Sequence, residues 1–219
     1  MTRGRFITFE GGEGCGKSTQ VRRLAARLER AGVEAVLTRE PGGTRLAELI
    51  RSLLKDEQDD PPCDRSELLL FLAARAQLVR NVIRPALDAG RWVLSDRFSD
   101  STFAYQGYGR GLPIDFLRLA NDFACDGLRP DRTILLDVPP ETARERMRAR
   151  ERATSVAADR IERAGDGFHA RLRAGFLEMA AREPERIVTI DASGTPGEVE
   201  ARIASALGLD ADVPSATEA

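Results

Sequence analysis

The sequence predicts an α/β fold, a three-layer arrangement in which a five-stranded parallel sheet carries helices on both faces. Three observations lead to this prediction. Short apolar runs alternate along the chain with segments of helical periodicity. A glycine-rich loop separates the first apolar run from the first helical segment. Charged residues stand where the apolar runs end, as they do at the functional edge of a parallel sheet.

Five segments have the short, apolar character of buried strands. They are residues 5–10, 34–38, 92–96, 133–138 and 186–190. Seven further segments place apolar residues three and four positions apart, as amphipathic helices do. These helices are predicted over residues 17–31, 45–54, 65–89, 114–125, 140–150, 164–181 and 196–207. Strands that alternate with helices in this way form a parallel sheet that is covered on both faces.

Four charged residues fall at or just beyond the carboxyl ends of predicted strands. They are Glu10, Arg39, Asp96 and Asp137. Because right-handed crossovers bring these strand ends to one edge of the sheet, the binding crevice is expected there.

The segment from Gly11 to Ser18 reads G-x-x-x-x-G-K-S, the pattern of a phosphate-binding loop. It lies between the first predicted strand and the first predicted helix. This position distinguishes it from a glycine-rich turn that matches the pattern by chance. Its glycines let backbone N–H groups converge on phosphate oxygens, and the helix start adds partial positive charge. Lys17 is expected to reach the β and γ phosphates, and the Ser18 hydroxyl to bind Mg²⁺.

Composition narrows the class of protein. The chain has 219 residues and a net charge of −2, which suits one α/β domain and argues against a nucleic-acid partner. That domain is expected over residues 1–209, with a polar, disordered tail over 210–219. No apolar run approaches the length of a membrane span, so no membrane partner is expected. His169 is the single histidine, so a histidine-dependent mechanism is not expected.

Three cysteines, Cys15, Cys63 and Cys125, form no metal-ligand spacing and cannot all pair with one another. They indicate reduced thiols and a cytoplasmic location. Cys15 lies inside the phosphate loop, where it is interpreted as a small filler residue in preference to a redox-sensitive group.

The long predicted helix over residues 65–89 has two distinct faces. Its core stripe is predicted to consist of Leu69, Leu72, Ala76, Val79, Ile83 and Leu87. Phe71 and Arg75 lie off this stripe, four residues apart, so they share another face. A ring and a guanidinium there could grip a planar heterocycle by stacking and hydrogen bonding. Taken alone, the segment favours a plainer interpretation in which Phe71 is core and Arg75 is solvated.

A basic segment follows the fourth strand. Residues 144–163 hold seven arginines against four acidic residues. Arg146 and Arg150 share one helical face, and small residues then interrupt the run of charges. A helix covered in solvated ion pairs would look similar, but the phosphate loop upstream favours a mobile lid over about residues 148–163. Such a lid would bring arginines to the charge that develops in phosphoryl transfer.

Two turns follow the second and third strands. The first, with Pro41, Gly42 and Gly43, makes a tight bend at the expected ligand edge. The second begins with Asp96, a candidate carboxylate for Mg²⁺ or its waters, and Arg97, a candidate clamp on an acceptor phosphate. A purely structural Asp–Arg pair remains open on these residues alone.

Taken together, these blocks resemble the bacterial thymidylate kinase family. The matching pieces are FEGGEGCGKST, TREPGGT, LLLFLAAR, SDRFSDSTFAYQGYGRG, LRPDRTILLDV and DRIE, in the family's order. The resemblance implies a P-loop NTPase fold, a homodimer, and ATP- and Mg²⁺-dependent phosphorylation of dTMP to dTDP for dTTP biosynthesis. It also implies that the ATP phosphates are held by Gly11, Gly12, Glu13, Gly14, Cys15, Gly16, Lys17, Ser18 and Thr19.

The resemblance further implies how the acceptor is bound. Phe71 would stack on thymine, and Arg75 would donate to its 4-carbonyl. Thr102 lies where the family bonds the pyrimidine N3, and Tyr105 resembles the ring that crowds the sugar 2′ position. The other expected acceptor contacts are Arg51, Arg97 and Gln106.

The catalytic residues implied by the resemblance are Lys17, Arg97 and a lid arginine. The phosphate loop has no basic residue before Lys17, which is typical of the family type that supplies its arginine from the lid. Arg150 is the first candidate for that role, followed by Arg148 and Arg160.

Two neighbouring activities stay open: another nucleoside monophosphate kinase, and a deoxynucleoside kinase. A phosphate acceptor is already ionised and needs no general base, whereas a nucleoside hydroxyl would need a carboxylate such as Asp96 or Glu40. A GTPase is less favoured because the chain lacks an N-K-x-D sequence. A DNA-binding ATPase is disfavoured by the acidic balance.

Overall fold

The computed structural model describes residues 4–56, 59–154 and 165–209. Its sheet consists of β1 (Phe6–Glu10), β2 (Ala35–Arg39), β3 (Trp92–Asp96), β4 (Arg132–Asp137) and β5 (Ile187–Asp191). The five strands are parallel in the order β2-β3-β1-β4-β5. Every predicted strand is therefore confirmed, with bounds that differ from the prediction by one residue at most.

Helices surround this sheet. They are α1 (Lys17–Arg30), α2 (Arg45–Lys55), α3 (Asp64–Leu78), α4 (Arg84–Asp88), α5 (Ser99–Thr102), α6 (Ile114–Cys125), α7 (Pro140–Thr154), α8 (Asp166–Arg182) and α9 (Pro196–Ala206). A π-helical turn, Val79–Ile83, joins α3 to α4, and a longer one, Phe103–Gly109, continues α5. Within the described residues, no helix combines the length and apolarity that a bilayer crossing requires.

The side chains of β1 alternate between two hydrophobic cores, as the period of a strand requires. Ile7 and Phe9 pack with residues of α1 and α9 on one face. Phe6 packs on the opposite face with the π-helical turn, α4 and β3. Glu10 ends β1 on the same side as Phe6, so its carboxylate lies among the elements that cover that second face.

The strand register brings four charged residues to one edge. Glu10, Arg39, Asp96 and Asp137 are the last residues of β1, β2, β3 and β4. The pairings Phe9 with Asp96 and Arg39 with Asp96 align these ends across three neighbouring strands. This confirms the predicted crevice edge.

The core stripe predicted for the long helix was partly wrong. Leu69 is 60% exposed and Ala76 is also exposed. The buried face of α3 instead includes two charged residues, Glu67 and Arg75. The prediction assigned only apolar residues to the core. It therefore missed that Glu67 and Arg75 can be buried because each has an oppositely charged partner inside the protein, as shown below.

Other boundaries also differ from the prediction. Helix α7 continues to Thr154, beyond the predicted end at residue 150. The helical segment over residues 99–109 was not predicted. Most of the predicted lid, including Arg160, and the predicted tail over 210–219 lie outside the described residues.

Candidate active site

The phosphate loop depends on glycine at defined positions. Gly11, Gly14 and Gly16 have φ of +133°, +72° and +98°, which L-residues with a side chain rarely adopt. A Cβ atom at Gly11 would lie 2.4 Å from the Leu136 carbonyl oxygen, and one at Gly14 would lie 2.4 Å from that of Ala143. No side chain caps the start of α1, so its first N–H groups are available to an anion.

Lys17 is buried, and its ammonium group stays close to its own loop. Nζ donates to the carbonyl oxygens of Gly11 and Gly12 at 3.1 and 2.7 Å. A weaker contact joins it to Cys15 Sγ at 3.4 Å. The Cys15 side chain is part of the hydrophobic core, so any contact it makes with phosphate would come from its backbone.

The metal-binding pair expected from the sequence is brought together. Ser18 Oγ donates a hydrogen bond to the carboxylate of Asp96 at the end of β3. Among the described residues, no group of three or more His, Cys, Asp or Glu side chains could enclose a metal by itself. Mg²⁺ is usually held by one or two protein oxygens together with substrate phosphates and waters, so this oxygen pair fits it.

A cleft of about 920 Å³ opens at the carboxyl edge of the sheet. Most of the predicted site residues line it, both those expected to hold ATP and those expected to hold the acceptor. They are Glu13, Gly14, Gly16, Lys17, Ser18, Thr19, Arg51, Phe71, Arg75, Asp96, Arg97, Thr102, Tyr105, Gln106 and Arg150. Gly11, Gly12 and Cys15 do not line the cleft.

Arg75 lies at the floor of the cleft, among the residues expected to bind the acceptor. Its Nε donates to both Glu40 carboxylate oxygens at 3.1 and 2.9 Å, and its Nη1 donates to Thr102 Oγ1 at 2.8 Å. Nη1 also donates to Asn121 Oδ1, and Nη2 donates to the Phe98 carbonyl oxygen at 3.1 Å. The plainer interpretation of a solvated Arg75 is therefore wrong.

The two charges at this floor attract each other, although burial still leaves the pKa of the Glu40 carboxyl above its usual value. Burial lowers the pKa of Arg75, but the negative charge of Glu40 outweighs it and the net direction is upward. The guanidinium therefore stays charged at the bottom of the cleft. Because its donors are fixed by four different partners, its orientation toward a ligand is set before binding.

A second ionic group lies between the phosphate loop and the acceptor side. Arg97 Nη2 donates to Glu13 Oε1 at 2.5 Å, and the Tyr105 hydroxyl donates to the same oxygen at 2.9 Å. The Arg97 guanidinium also lies 4.9 Å from the centre of the Tyr105 ring. Burial alone would raise the pKa of Glu13, but Arg97 and Lys17 lower it to about 2.

Two further predicted residues are fixed by neighbours. Arg51 Nη1 donates to the Pro41 carbonyl oxygen at 2.8 Å, which ties α2 to the bend after β2. Gln106 Nε2 donates to Glu67 Oε1 at 2.9 Å, and Arg110 donates to the other carboxylate oxygen at 3.2 Å. The Arg110 guanidinium thus neutralises the charge of the buried Glu67, and the Gln106 amide satisfies its other oxygen.

Helix α7 brings one predicted arginine and one further arginine to the cleft. Arg150 and Arg146 both line it, whereas Arg148 does not, although Arg148 and Arg150 are both exposed. Arg146 Nη2 donates to the Gly194 carbonyl oxygen at 3.2 Å. The four-residue spacing of Arg146 and Arg150 was the signal that could have identified Arg146 as a site residue.

Sequence reasoning missed several residues that shape the cleft. Glu40 was considered only as a general base, although it pairs with Arg75. Asn121 carried no sequence signal, because an Asn inside a helix is recognised only once its partner is known. Ser101, which lines the cleft and contacts Arg97, lies in the helical segment that was not predicted.

The fold and the cleft define a P-loop nucleotide-binding protein with a second polar subsite beside its phosphate loop. The family model "Thymidylate kinase" matches residues 9–203. A thymidylate kinase of Trichlorobacter lovleyi is 48% identical over 203 residues, covering 92% of this chain and 96% of the relative. A thymidylate kinase of Nitratidesulfovibrio vulgaris is 52% identical over 196 residues, which cover 89% of this chain and 91% of the relative.

A solved structure agrees with these relatives. The crystal structure of thymidylate kinase from Ehrlichia chaffeensis superposes with a TM-score of 0.74 at 36% identity, covering 94% of this chain and 99% of that one. The chain belongs to the thymidylate kinase family.

Proposed function

We propose that this chain transfers the γ-phosphoryl group of ATP to dTMP, forming dTDP for dTTP biosynthesis. The observation that carries the proposal is the single cleft that joins a phosphate loop to a buried Arg75–Thr102 floor. Two nucleotides bound end to end in one cleft can place a phosphoryl donor in line with an acceptor phosphate.

On the donor side, the uncapped start of α1 and the loop around Gly14 and Gly16 would hold the ATP phosphates. Lys17 would exchange its loop carbonyl contacts for the β and γ phosphate oxygens. Ser18 and Asp96 would hold Mg²⁺, which supplies charge neutralisation to the phosphates when it is bound.

On the acceptor side, Phe71 would stack on the thymine ring. The five N–H groups of Arg75 all have partners within the protein, so Arg75 would exchange one of these bonds to donate to the 4-carbonyl. Thr102 accepts from Arg75, so its own hydroxyl and remaining lone pair stay available to the pyrimidine N3 region. Tyr105 would limit the space at the sugar 2′ position, and Gln106 would complete this wall.

The acceptor phosphate would be met by guanidinium groups. Arg51 and Arg97 line the cleft and would bind or neighbour the 5′-phosphate of dTMP. Arg150 would offset the charge that spreads over the transferred group, as arginines do in phosphoryl transfer. The second pKa of a phosphomonoester is near 6, so the attacking oxygen is largely ionised at neutral pH and needs no general base.

We further infer a homodimer in which α6 packs against a second copy. Phe116, Leu119 and Phe123 lie at positions i, i+3 and i+7 of α6 and are 53%, 71% and 89% exposed. An exposed apolar stripe of this kind marks an interaction face. We also infer a single domain over residues 1–209 in the cytoplasm, without a nucleic-acid or membrane partner, which free Cys15, Cys63 and Cys125 support.

The test is an acceptor panel with purified protein, ATP and Mg²⁺. Turnover with dTMP is expected to exceed that with dUMP, dCMP and thymidine. Lys17→Ala is the inactive control. Arg30→Ala, which also removes a positive charge from α1 but at the exposed end of the helix, is its matched variant and should stay active. Thymidine as the better acceptor would replace the proposal with a deoxynucleoside kinase.

A further inference from the structure

Arg97 lies in the cleft wall with a backbone conformation that few residues other than glycine adopt. Its φ is +74°, in the left-handed region. Its N–H donates to the Phe9 carbonyl oxygen at 2.9 Å, which fixes one side of the turn. A strained conformation persists only where surrounding contacts enforce it, so further contacts must hold the turn.

Glu10 supplies those contacts. It is fully buried at the end of β1, and its carboxylate accepts three hydrogen bonds from the residues that follow Arg97. Oε1 accepts from the Phe98 N–H at 2.8 Å and from the Ser101 N–H at 3.2 Å. Oε2 accepts from Ser101 Oγ at 2.6 Å.

Ser101 links this carboxylate to the Arg97 side chain. Because Ser101 Oγ donates a hydrogen bond to Glu10, its lone pairs stay available, and it accepts a hydrogen bond from Arg97 Nη1 at 3.2 Å. The same Nη1 donates to the Gly11 carbonyl oxygen at 3.1 Å. Glu10 therefore sets both the backbone of the turn and the direction of the guanidinium.

Only the ionised form of Glu10 can accept all three hydrogen bonds, although burial favours its neutral form. Three donors converge on Glu10, and only an acceptor with two unprotonated oxygens can accept from all of them. The charged groups around Glu10 and its neighbour Arg97 are Asp100 on α5, Arg75 on α3, Asp96 on β3 and Glu13 in the phosphate loop. Burial and the charge of Asp100 raise the pKa of Glu10 to about 7, although Arg97 and the hydrogen bonds act in the other direction.

We propose that Glu10 is a positioning residue for phosphoryl transfer, holding the turn over residues 97–101 so that the Arg97 guanidinium faces the acceptor phosphate. This inference rests on the proposed function, and turnover of dTMP by the unaltered chain tests that function separately. Protonation of Glu10 would convert one acceptor oxygen into a donor and loosen the turn. Activity supported by Glu10 is therefore present above its pKa and lost as the pH falls through about 7.

The experiment is the pH profile of kcat/KM for dTMP between about pH 5.5 and 9, which reports groups of the free enzyme and free substrate. For the unaltered chain, kcat/KM is expected to fall on the acid side in two steps: an upper limb near pH 7 from Glu10, and a lower limb near pH 6 from dTMP itself. Glu10→Gln is expected to lose the upper limb and to be about tenfold or more slower at pH 8. Its KM for ATP should be unchanged.

Two companion variants make the result specific. Ser101→Ala removes a hydrogen bond that lowers the pKa of Glu10, so its upper limb should move to higher pH. Asp131→Asn is the matched control, because Asp131 also accepts a main-chain N–H of β1, from Phe6 at 2.6 Å, at the opposite end of the strand. Its profile should match that of the unaltered chain.

The proposal is overturned if Glu10→Gln keeps the limb near pH 7 or keeps full activity at pH 8. Should Glu10→Gln fail to fold, Ser101→Ala decides the question. A Ser101→Ala profile with its upper limb unmoved, or moved to lower pH, overturns the proposal in the same way.

Discussion

Arg75 and Glu40 form a buried ion pair at the floor of the cleft, with 2.5 Å between Nη2 and Oε2 and side chains that are 1% and 4% exposed. Removing one partner of such a pair leaves an uncompensated buried charge, which costs more free energy than the pair contributes. The pair connects the bend after β2 with α3, so it fixes the shape of the acceptor subsite as well as its charge.

Glu40→Ala is expected to lower the free energy of unfolding by about 3–5 kcal/mol, because it leaves the Arg75 guanidinium without its counter-charge. Urea unfolding measures this. Asp115→Ala is the control, since Asp115 forms an exposed pair with Arg118 and its loss should cost at most about 1 kcal/mol. Equal losses in the two variants would contradict the role of Glu40.

The two arginines Arg150 and Arg148 lie on the same helix, but only the first lines the cleft. Arg150→Ala is expected to lower kcat by about a thousandfold while affecting ATP affinity far less, as for an arginine that acts in the transition state. Arg148→Ala should leave kcat nearly unchanged. Steady-state kinetics of both variants measure the difference, and a normal rate for Arg150→Ala would remove it from this role.

Phe71→Ala is expected to weaken dTMP binding by roughly 1–3 kcal/mol, the range for an aromatic ring that stacks on one base. Because Phe71 lines the acceptor side of the cleft, ATP affinity should not change. Calorimetric titration of each nucleotide measures both values. A loss of ATP affinity equal to the loss for dTMP would indicate a general packing defect in place of stacking.

Much of this site could be predicted from the sequence, and the reason for the rest is physical. The strands and the phosphate loop are signalled by local patterns, such as the apolar run before Gly11 and the helical spacing after Ser18. Residues such as Asn121 and Glu67 become informative only through partners distant in sequence. Arg75 misled the core prediction because a buried charge resembles a solvated one until Glu40 is found beside it.

The exposed stripe of α6 gives a prediction about assembly. Phe123→Asp should shift the chain from dimer to monomer, because Phe123 is 89% exposed and a charge there would have to be buried between two copies. Sedimentation measurements over a range of concentrations follow the change. Arg118→Ala, at a polar position on the same helix, is the control and should remain dimeric. A monomeric unaltered chain at all concentrations would exclude the interface.

The pH dependence of stability offers a test of Glu10 that needs no substrate. A carboxyl pKa raised from 4.5 to about 7 means that the folded state binds this proton more tightly than the unfolded chain does. The resulting stabilisation is complete below about pH 4.5 and is lost as the pH rises through 7. Relative to Glu10→Gln, the unaltered chain should therefore lose about 3 kcal/mol of unfolding free energy between pH 4.5 and 8.5.

Urea unfolding of the two proteins at several pH values measures this difference, and the comparison cancels the titration of every group they share. Parallel stability curves would show that Glu10 titrates at its ordinary value. If the unfolding free energy of the unaltered chain falls relative to Glu10→Gln as the pH rises, ionisation of Glu10 lowers the stability of the fold. This would occur in the same pH range in which the carboxylate positions Arg97. Binding an anionic acceptor beside Arg97 should oppose ionisation of Glu10, so dTMP should move the fall in stability to higher pH.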